Sequence, residues 1–490
     1  MSDKNILYYG DNLEVLRLHI KDESVDLIYL DPPFKSNQDY NVLFAERNGA
    51  RSRAQIKAFD DTWFWGEEAA ESYQDIVEAG GKVSEAMQAF RKLLGHNDMM
   101  AYLAIMAPRL VELNRVLKPT GSIYLHCDPT ASHYLKLLMD AVFTRNFRNE
   151  IVWHYRRWTA ASKTFQKMHD VLLWYSKTRT WVYNKLMQPF SEKTAIATFK
   201  RKVEGGRAIQ DKTRLMDRDP SKGVAMHDVW DIPYVHPVAK ERLGYPTQKP
   251  EALLERIIRA SSNECNVVLD PFCGCGTTIT VAQKLNRRWI GIDVTHLAVT
   301  LIKHRLQDTF GEKIKDTYDI VGEPVSISGA MELAKQDPYQ FQWWALGLVG
   351  ARPAEQKKGA DEGIDGRLYF HDEGKGRETK QIIFSVKAGH VGVSHIRDLR
   401  GVMERENAEM GVLITMQPPT KPMQREAARA EFYHSPGWNK RYPRIQVLSV
   451  EELIGGKGVN YPPSKHVNVT FKKAPKAKPN SDCNSSDLFN

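Results

Sequence analysis

The sequence predicts an α/β protein with a mostly parallel sheet, followed by a second, smaller α/β unit. Short apolar runs alternate with helical patterns, and the predicted strands are Val25–Leu30, Ser122–His126, Val267–Asp270 and Trp289–Ile292. Between them, residues 99–119 have helical spacing that stops at a proline. With 490 residues, of which 42% are hydrophobic, the chain can form two or three cores at roughly 150 residues per domain.

The composition favours a cytoplasmic protein with a polyanionic partner. No run of about 18 apolar residues occurs, and the first residues lack the pattern of a signal peptide, so we expect no membrane contact. Five cysteines are too few for a disulfide framework, which agrees with a reducing compartment. The net charge of +9 and the pI near 9.0 favour a nucleic-acid partner without establishing one.

An unusual tetrapeptide follows the first predicted strand: Asp31, Pro32, Pro33 and Phe34. Ligands of parallel sheets bind beyond the carboxyl ends of the strands, which is where Asp31 falls. Consecutive prolines fix the backbone and leave carbonyl oxygens free, so that a carboxylate and a carbonyl together could accept from an NH₂ group. Phe34 could stack on a flat heterocycle. In the equally good alternative, the prolines only end a strand and Phe34 lies in a core.

Residues 266–294 combine a strand, a glycine turn, a helix and a second strand that ends in an acid. Gly274 and Gly276 would let the backbone approach a ligand, and the helix start presents N–H groups to an anion. Asp293 has the spacing to accept both ribose hydroxyls of an adenosine moiety. The turn lacks the G-x-G-x-x-G spacing of dinucleotide folds, so the anion could be the carboxylate of S-adenosylmethionine.

These motifs resemble those of the DNA amino-methyltransferases, which modify the exocyclic nitrogen of adenine or cytosine. Asp31 to Phe34 resembles their catalytic signature, and the D-P-F-x-G-x-G-T sequence at 270–277 resembles their cofactor signature. The catalytic loop precedes the cofactor loop by about 240 residues, as in the family's permuted β group. The resemblance covers about residues 5–306 and implies a permuted Rossmann-like S-adenosylmethionine-dependent methyltransferase domain, which we place at 1–310.

The resemblance also implies roles for single residues. The acid Asp11 would face the adenine ring of the cofactor, and the segment just before the glycine turn would contact its methionine part. The implied cofactor-binding residues are Asp11, Thr247, Lys249, Asp270, Phe272, Gly274, Gly276, Thr277 and Asp293.

Residues 156–244 are the predicted target-recognition insertion, because basic residues alternate there with aromatic ones. A basic solvated insertion explains any single residue there equally well. Just before it, 149–157 resembles the family motif that lines the pocket of a flipped base, which makes Trp153 and Tyr155 candidates, although each could be an ordinary core aromatic. We expect the base to be adenine, because the family more usually has an acid for adenine and a serine for cytosine.

A polar segment, 311–336, is interpreted as a linker between units that each carry their own core. The second unit, 337–457, shows strands near 366–370, 381–389 and 411–415 and a helix from about Ser394. The last residues, 458–490, are rich in lysine, proline and serine and are expected to be disordered.

The second unit resembles Mrr-type domains of the restriction-endonuclease-like fold. The resemblance implies a divalent cation such as Mg²⁺ held by Asp365, with Lys387 as the charged neighbour. Ser385 stands where a Glu or Gln is expected, and a neutral hydroxyl is a poor ligand for Mg²⁺. The unit either cleaves DNA with an oxygen from another acid or only binds DNA. The candidate acids are Asp361, Glu362 and Glu404.

The sequence thus predicts a site-specific adenine-N6 methyltransferase of double-stranded DNA, part of a restriction–modification system, fused to a nuclease-like unit. The runner-up is a cytosine-N4 enzyme whose second unit only binds DNA. An RNA or protein methyltransferase would leave the basic insertion unexplained, and a non-catalytic DNA-binding protein would not carry both motifs. The sequence leaves the oligomeric state open, with a homodimer as one alternative.

Overall fold

The computed structural model describes residues 4–33, 65–144, 146–157, 163–189, 199–204, 207–215, 223–245, 247–354, 363–372, 379–462 and 470–477. The strands are β1 (Asn5–Tyr9), β2 (Val25–Leu30), β3 (Leu117–Cys127), β4 (Phe147–His154), β5 (His169–Ser176), β6 (Met187–Gln188), β7 (Phe199–Glu204), β8 (Arg207–Leu215), β9 (Val224–Ala225), β10 (Val229–Asp231), β11 (Val267–Asp270), β12 (Arg288–Asp293), β13 (Tyr318–Val321), β14 (Arg352–Pro353), β15 (Gly366–Phe370), β16 (Lys380–Lys387), β17 (Met410–Thr415), β18 (Phe432–Ser435), β19 (Lys440–Pro443) and β20 (Ile445–Ser449).

The helices cover both large sheets. In chain order they are α1 (Asn12–His19), α2 (Glu67–Ala79), α3 (Gly81–Leu94), α4 (Asp98–Val116), α5 (Ser132–Phe143), α6 (Glu251–Ser261), α7 (Thr277–Lys284), α8 (His296–Phe310), α9 (Ile327–Gln336), α10 (Pro338–Leu348), α11 (Val393–Arg405), α12 (Lys421–Ala428) and α13 (Val450–Ile454), with a 3₁₀ helix at Glu312–Thr317.

The first sheet contains, within the described residues, nine strands in the order β10-β4-β5-β3-β2-β11-β12-β1-β13. The six neighbouring strands β3-β2-β11-β12-β1-β13 run parallel to one another, whereas β5 runs antiparallel to both β3 and β4. Helices α1–α5 pack on one face and α6–α8 on the other. Because both faces are covered, central strands read as continuous apolar runs, and all six residues of β2 are buried.

The predicted fold class is confirmed. Strands β2 and β11 have the predicted bounds, and β3 and β12 contain the predicted segments. The predicted helix at 99–119 is α4, but it ends at Val116 because the chain from Leu117 onward pairs with β2. Its start is capped by Asn97, whose side chain accepts from the amide of Met100.

The direction of chain progression reverses between β2 and β11, which makes this position the topological switch point of the sheet. From β2 the chain proceeds to β3 on one side, and from β11 it proceeds to β12 on the other. A crevice therefore forms beyond the carboxyl ends of these two strands, which is the usual ligand site of an open α/β sheet.

The predicted insertion at 156–244 is partly wrong. Strands β5 and β10 lie within this range, yet both belong to the first sheet. Two short antiparallel pairs, β6 with β9 and β7 with β8, form outside that sheet. The basic composition of the segment hid β5, whose hydrophobic run covers only the five residues 171–175.

The second unit has a sheet in the order β14-β15-β16-β17-β20. The predicted strands are β15, β16 and β17, and the predicted helix is α11, which makes the parallel connection from β16 to β17. Helices α9, α10 and α13 pack on one face, and α11 and α12 on the other.

The segment predicted as a linker, 311–336, is structured. Strand β13 pairs in parallel with β1 at the edge of the first sheet, and α9 buries Ala330 and Leu333 in the core of the second unit. The linker prediction was wrong because backbone hydrogen bonds hold a short edge strand without much apolar sequence.

Part of the segment predicted as a disordered tail, 458–490, is also structured. Residues 470–477 lie along α8, where Phe471 stacks on His304 with ring centroids 4.4 Å apart. The amide of Ala474 donates to Asp308 at 3.2 Å, and the amide of Ala477 donates to the carbonyl of Thr309 at 3.0 Å. Residues 463–469 and 478–490 lie outside the described ranges.

A core shared by the two units corrects the expectation that each is independent. Trp343 of α10 is buried together with Leu297 and Leu301 of α8, Cys275 of the glycine turn, Tyr245 and Phe471. The side chain of Gln340 accepts from the amide of His296 at 3.1 Å. Helix α10 thus packs directly behind the cofactor half of the first sheet.

Candidate active site

Three acids gather at the carboxyl edge of the first sheet. Asp31 follows β2, Asp270 ends β11 and Asp293 ends β12, and these three strands are neighbours. Asp31 and Asp270 border the crevice between β2 and β11. The structure therefore brings together the two motifs that lie far apart in the sequence.

Asp31 is a largely buried carboxylate whose side chain is 16% exposed. The ammonium group of Lys249 forms a short ion pair with its Oδ2. The neighbouring Pro32 is buried and Pro33 is half-buried. Phe34, the predicted stacking ring, lies outside the described residues. Lys249 holds the Asp31 carboxylate beside the crevice, where it can accept further hydrogen bonds.

The glycine turn has a backbone that requires glycine. Gly274 and Gly276 have positive φ values of 49° and 73°. A Cβ at Gly276 would lie 2.8 Å from Ile302, and one at Gly274 would lie 3.2 Å from the ring of Tyr245. The turn can therefore approach a ligand closely while helix α7 begins at Thr277.

Asp293 joins the glycine turn to the end of β12. Its carboxylate accepts from the amide of Gly274 at 2.9 Å and from the amide and hydroxyl of Thr295 at 3.0 and 2.9 Å. Burial nevertheless raises the pKa of Asp293 to about 6. The carboxylate is thus ionised at neutral pH and protonates in mild acid.

Asp270 is more deeply buried, with 3% exposure. Burial and, to a smaller extent, the nearby charges of Asp31 and Asp293 raise its pKa to about 7, against hydrogen bonds from Thr278 and Phe272. The neighbouring negative charges disfavour the ionisation of Asp270, so a cationic ligand beside it would be stabilised.

The side chains of Asp11 and Thr277, two further predicted cofactor residues, are also bonded within the protein. The carboxylate of Asp11 caps α1 by accepting from Leu13 and pairs with Arg109 at 2.6 Å. The hydroxyl of Thr277 accepts from the buried Arg305 at 2.9 Å. Their predicted roles toward the cofactor stay predictions.

The remaining predicted cofactor residues lie around the same edge. Thr247 is half-buried and precedes Lys249 in the segment that reaches Asp31. Phe272 is half-buried and packs against the core on the α1–α5 face of the first sheet.

The candidate base-pocket residues are adjacent but differ in exposure. Trp153 of β4 is 3% exposed, and its indole N–H donates to the carbonyl of Ile232 at 2.8 Å. Tyr155 is half-buried, and its ring lies 4.8 Å from that of Trp153. Trp153 is therefore a core residue, and Tyr155 is the more exposed member of the pair.

A buried polar group beside Asp31 is absent from the predicted set. His126, at the end of β3, is fully buried; its Nδ1 lies 2.9 Å from the hydroxyl of Tyr29, and its Nε2 lies 3.4 Å from Asp170. Its position at the carboxyl end of a predicted strand was the available signal. Asp170 enters on the antiparallel strand β5, and no motif marks it.

The predicted nuclease residues also come together. The Oδ2 atom of Asp365 accepts from the amide of Val386 at 2.7 Å, the hydroxyl of Ser385 at 3.3 Å and the ammonium of Lys387 at 3.4 Å. Glu404 is paired with Arg400 on α11. Among the residues that the structure describes, no group of three His, Cys, Asp or Glu side chains is arranged to hold a metal ion.

Asp361 and Glu362, the other acids considered for the metal, lie outside the described ranges. In the described part of the chain, no helix combines the length and apolar character needed to span a membrane.

The fold and site define a class of protein: an α/β protein that brings an acid–proline loop and a glycine turn together at the switch point of a mostly parallel sheet. Residues 25–304, more than half of the chain, match the family model described as "DNA methylase", and the chain belongs to this family. This confirms the amino-methyltransferase prediction and its dependence on S-adenosyl-L-methionine. The chain is a DNA N4/N6 methyltransferase of the restriction–modification type.

Residues 339–455 match a second family model, described as "NACHT-associated inactive Restriction Endonuclease 1". This confirms a restriction-endonuclease-like second unit. It lends no support to cleavage by that unit.

Several known proteins are similar to the chain. Type II methyltransferase M.HpaI of Haemophilus parainfluenzae is 32% identical over 231 residues, which is 46% of this chain and 67% of the relative. DNA adenine methyltransferase YhdJ of Escherichia coli K12 is 27% identical, covering 62% of this chain and 83% of YhdJ. Type II methyltransferase M.BamHI of Bacillus amyloliquefaciens is 27% identical, covering 64% of this chain but only 59% of the relative.

Two solved structures are also similar. PvuII DNA methyltransferase, described as cytosine-N4-specific, is 16% identical with a TM-score of 0.39 and covers 64% of this chain and 91% of that chain. A complex of M1.HpyAVI with S-adenosylmethionine is 18% identical with a TM-score of 0.32 and covers 61% and 97%. Neither adds to the fold described above.

Proposed function

We propose that the chain methylates the N6 amino group of adenine at a specific site in double-stranded DNA, with Asp31 as the acceptor of the amine. The observation that carries the proposal is the placement of Asp31 beside Asp270 and the glycine turn at the switch point. An acid in the first position of the loop favours adenine, and the relative YhdJ is named a DNA adenine methyltransferase. Cytosine-N4 methylation is the alternative.

The residues at the edge fit S-adenosylmethionine. Asp293 can accept from ribose hydroxyls, and Gly274 and Gly276 leave room where a Cβ would collide with neighbouring side chains. The cofactor supplies a methyl group on a positively charged sulfonium. That charge suits the edge formed by Asp270 and Asp293, whose mutual repulsion a cation relieves.

Asp31 and the Pro32 carbonyl would accept hydrogen bonds from the two N–H groups of the target amine. These bonds pull the nitrogen toward a tetrahedral shape and aim its lone pair at the methyl group. Lys249 orients the Asp31 carboxylate through its ion pair. The Asp31 carboxylate can also accept the proton that the nitrogen loses after transfer.

The target base must leave the duplex to reach Asp31, because the carboxylate lies in a crevice and its side chain is only 16% exposed. Tyr155 is proposed to contact the flipped base. Phe34 is proposed as its second stacking partner. A cytoplasmic location, where prokaryotic DNA lies, goes with this proposal.

The second unit is proposed to bind DNA without cutting it. Asp365 already accepts from Val386, Ser385 and Lys387, and a hydroxyl occupies the position of the second metal ligand.

Product analysis tests the proposed reaction. The protein is incubated with methyl-labelled S-adenosylmethionine and unmethylated double-stranded DNA, with RNA and protein as parallel substrates, and the product DNA is hydrolysed to nucleosides. We expect the label in N6-methyladenine. Label in N4-methylcytosine would favour the alternative base, and label in RNA or protein but not in DNA would contradict the proposal.

A further inference from the structure

A hydrogen-bonded network of two buried and two half-buried polar side chains crosses the first sheet from the catalytic strand to the proposed base pocket. Tyr29 lies on β2, His126 on β3 and Asp170 on β5, and Tyr155 directly follows β4. These four strands are consecutive neighbours in the order β4-β5-β3-β2. Each link of the chain therefore crosses to the next strand.

The hydrogen bonds converge on the carboxylate of Asp170 from both sides. The hydroxyl of Tyr155 donates to Oδ1 of Asp170 at 3.2 Å. The other oxygen, Oδ2, lies 3.4 Å from Nε2 of His126, which must carry the proton because a carboxylate only accepts. In a neutral imidazole Nδ1 is then an acceptor, and Tyr29 donates to it at 2.9 Å.

The ionisation states of Tyr29 and Asp170 support these donor and acceptor roles. Burial raises the pKa of Tyr29 well above its ordinary value, and the charges of Asp31, Asp270 and Asp170 raise it further, so the phenol keeps its proton. For Asp170, burial alone would raise the pKa, but hydrogen bonds from His126 and Tyr155 and the charge of Lys249 bring it below the ordinary value. Asp170 is thus an ionised acceptor for both neighbours.

The network lies directly against the two groups that handle the base. Tyr29 is two residues before Asp31, and Nδ1 of His126 lies 3.9 Å from the Asp31 carboxylate. The edge of the Trp153 ring packs on His126 with centroids 5.5 Å apart. A shift at one end therefore changes the distance between Asp31 and the base pocket.

We propose that His126 and Asp170 are positioning residues, and that the chain Tyr29–His126–Asp170–Tyr155 acts as a unit that fixes the target base relative to Asp31. The inference rests on the proposed function, in which Asp31 accepts from the amine and Tyr155 contacts the base. Neither His126 nor Asp170 is required to touch the substrate.

The test removes one hydroxyl from each end of the hydrogen-bonded network, in Tyr29→Phe, Tyr155→Phe and the double variant. The ends are separated by three strand spacings, roughly 14 Å, a distance at which independent effects normally add. The readout is the single-turnover rate of methyl transfer at saturating DNA and cofactor, together with cofactor affinity and the thermal unfolding midpoint.

Each single variant is expected to lose about tenfold in rate, because a buried group is left unpaired and the network is broken. If the chain acts as a unit, the double variant also loses only about tenfold, since the second change finds the network already broken. A loss of about a hundredfold, the product of two independent effects, would overturn the inference.

Tyr124→Phe provides a matched control. Tyr124 is the direct partner of Tyr29 across β2 and β3, is equally buried, and bonds to Ser261 instead of His126. Its effect on the rate should multiply with that of Tyr155→Phe, while the unfolding midpoints of the Tyr124 and Tyr29 variants fall by similar amounts. Coupling of the control as strong as that of Tyr29 would also overturn the inference.

Two outcomes keep this inference separate from the proposed function. A parent protein that methylates no DNA base contradicts the proposed function, whereas an active parent with multiplying effects contradicts only the network. If Tyr29→Phe does not fold, the cycle of Asp170→Asn with Tyr155→Phe replaces it. The amide introduced by Asp170→Asn offers only one acceptor oxygen where the carboxylate offers two, so the same non-additive loss is expected and multiplying losses refute it.

Discussion

The shared core between the two units predicts that they do not unfold independently. Trp343 of the second unit is 2% exposed and packs against Leu297, Leu301 and Cys275 of the methyltransferase unit. Trp343→Ala removes this contact and leaves a cavity. We expect it to lower the free energy of unfolding by about 3–5 kcal/mol, the usual cost of truncating a buried large aromatic residue.

That loss is a large fraction of the total stability of a domain, which is about 5–15 kcal/mol. Because Cys275 belongs to the glycine turn, the cofactor affinity should fall as well. Trp343→Phe is the matched variant: the indole N–H has no hydrogen-bond partner within the described residues, so its loss leaves no other polar group unpaired, and the ring still fills most of the site. We expect Trp343→Phe to cost less than half as much as Trp343→Ala.

Denaturant unfolding of the full chain, monitored by tryptophan fluorescence, measures the free energy of unfolding. The protection that added cofactor gives against unfolding reports the cofactor affinity. A chain that ends near Ile327 should aggregate or unfold, because Leu297, Leu301 and Cys275 lose their cover. The reasoning is refuted if Trp343→Ala changes the second unit alone and leaves the unfolding and the cofactor affinity of the methyltransferase unit unchanged.

Three further predictions concern the cofactor turn and the second unit. Asp293→Ala should reduce the affinity for S-adenosylmethionine at least tenfold by calorimetry, about 1.4 kcal/mol. In the parent, the affinity should hold above about pH 7 and decline as the pH falls through about 6, because burial raises the pKa of Asp293 to about 6 and ribose hydroxyls favour its ionised form. An affinity independent of Asp293 and of pH would place the cofactor elsewhere. Gly276→Ala should lower cofactor affinity and the unfolding midpoint, because its Cβ would lie 2.8 Å from Ile302 at a positive φ, whereas Gly389→Ala, which meets nothing within 4 Å, should change neither; equal effects would show that the turn tolerates a side chain. Neither the parent nor Lys387→Ala should cut unmethylated target DNA with Mg²⁺ or Mn²⁺, and cutting by the parent alone would establish the nuclease.

Sequence alone predicts the parts of this protein whose signals are local. The buried parallel strands appear as apolar runs, and the acid–proline loop and the glycine turn are contiguous motifs. Asp31 and Asp293 could be placed at the same edge because the carboxyl ends of parallel strands meet there.

The parts that the sequence does not reveal depend on distant pairing. Asp170 reaches the site through the antiparallel pairing of β5 with β3, and β13 is held at the sheet edge by backbone hydrogen bonds. Phe471 lies in a polar segment, where one aromatic side chain is enough to anchor residues 470–477 on α8. The docking of Trp343 depends on the shape of both units, which no local pattern encodes.

The central claim is that Asp31 accepts the target amine and takes no part in cofactor binding. The direct measurement compares Asp31→Ala with the parent in two assays, single-turnover methylation of DNA and calorimetric binding of S-adenosylmethionine. Asp22→Ala, at an exposed acid before the same strand, is the control and should keep both activities. We predict that Asp31→Ala abolishes methylation while its cofactor affinity stays within about threefold of the parent, less than 1 kcal/mol. Methylation at a tenth of the parent rate or better, a loss of only about 1.4 kcal/mol, would contradict the claim.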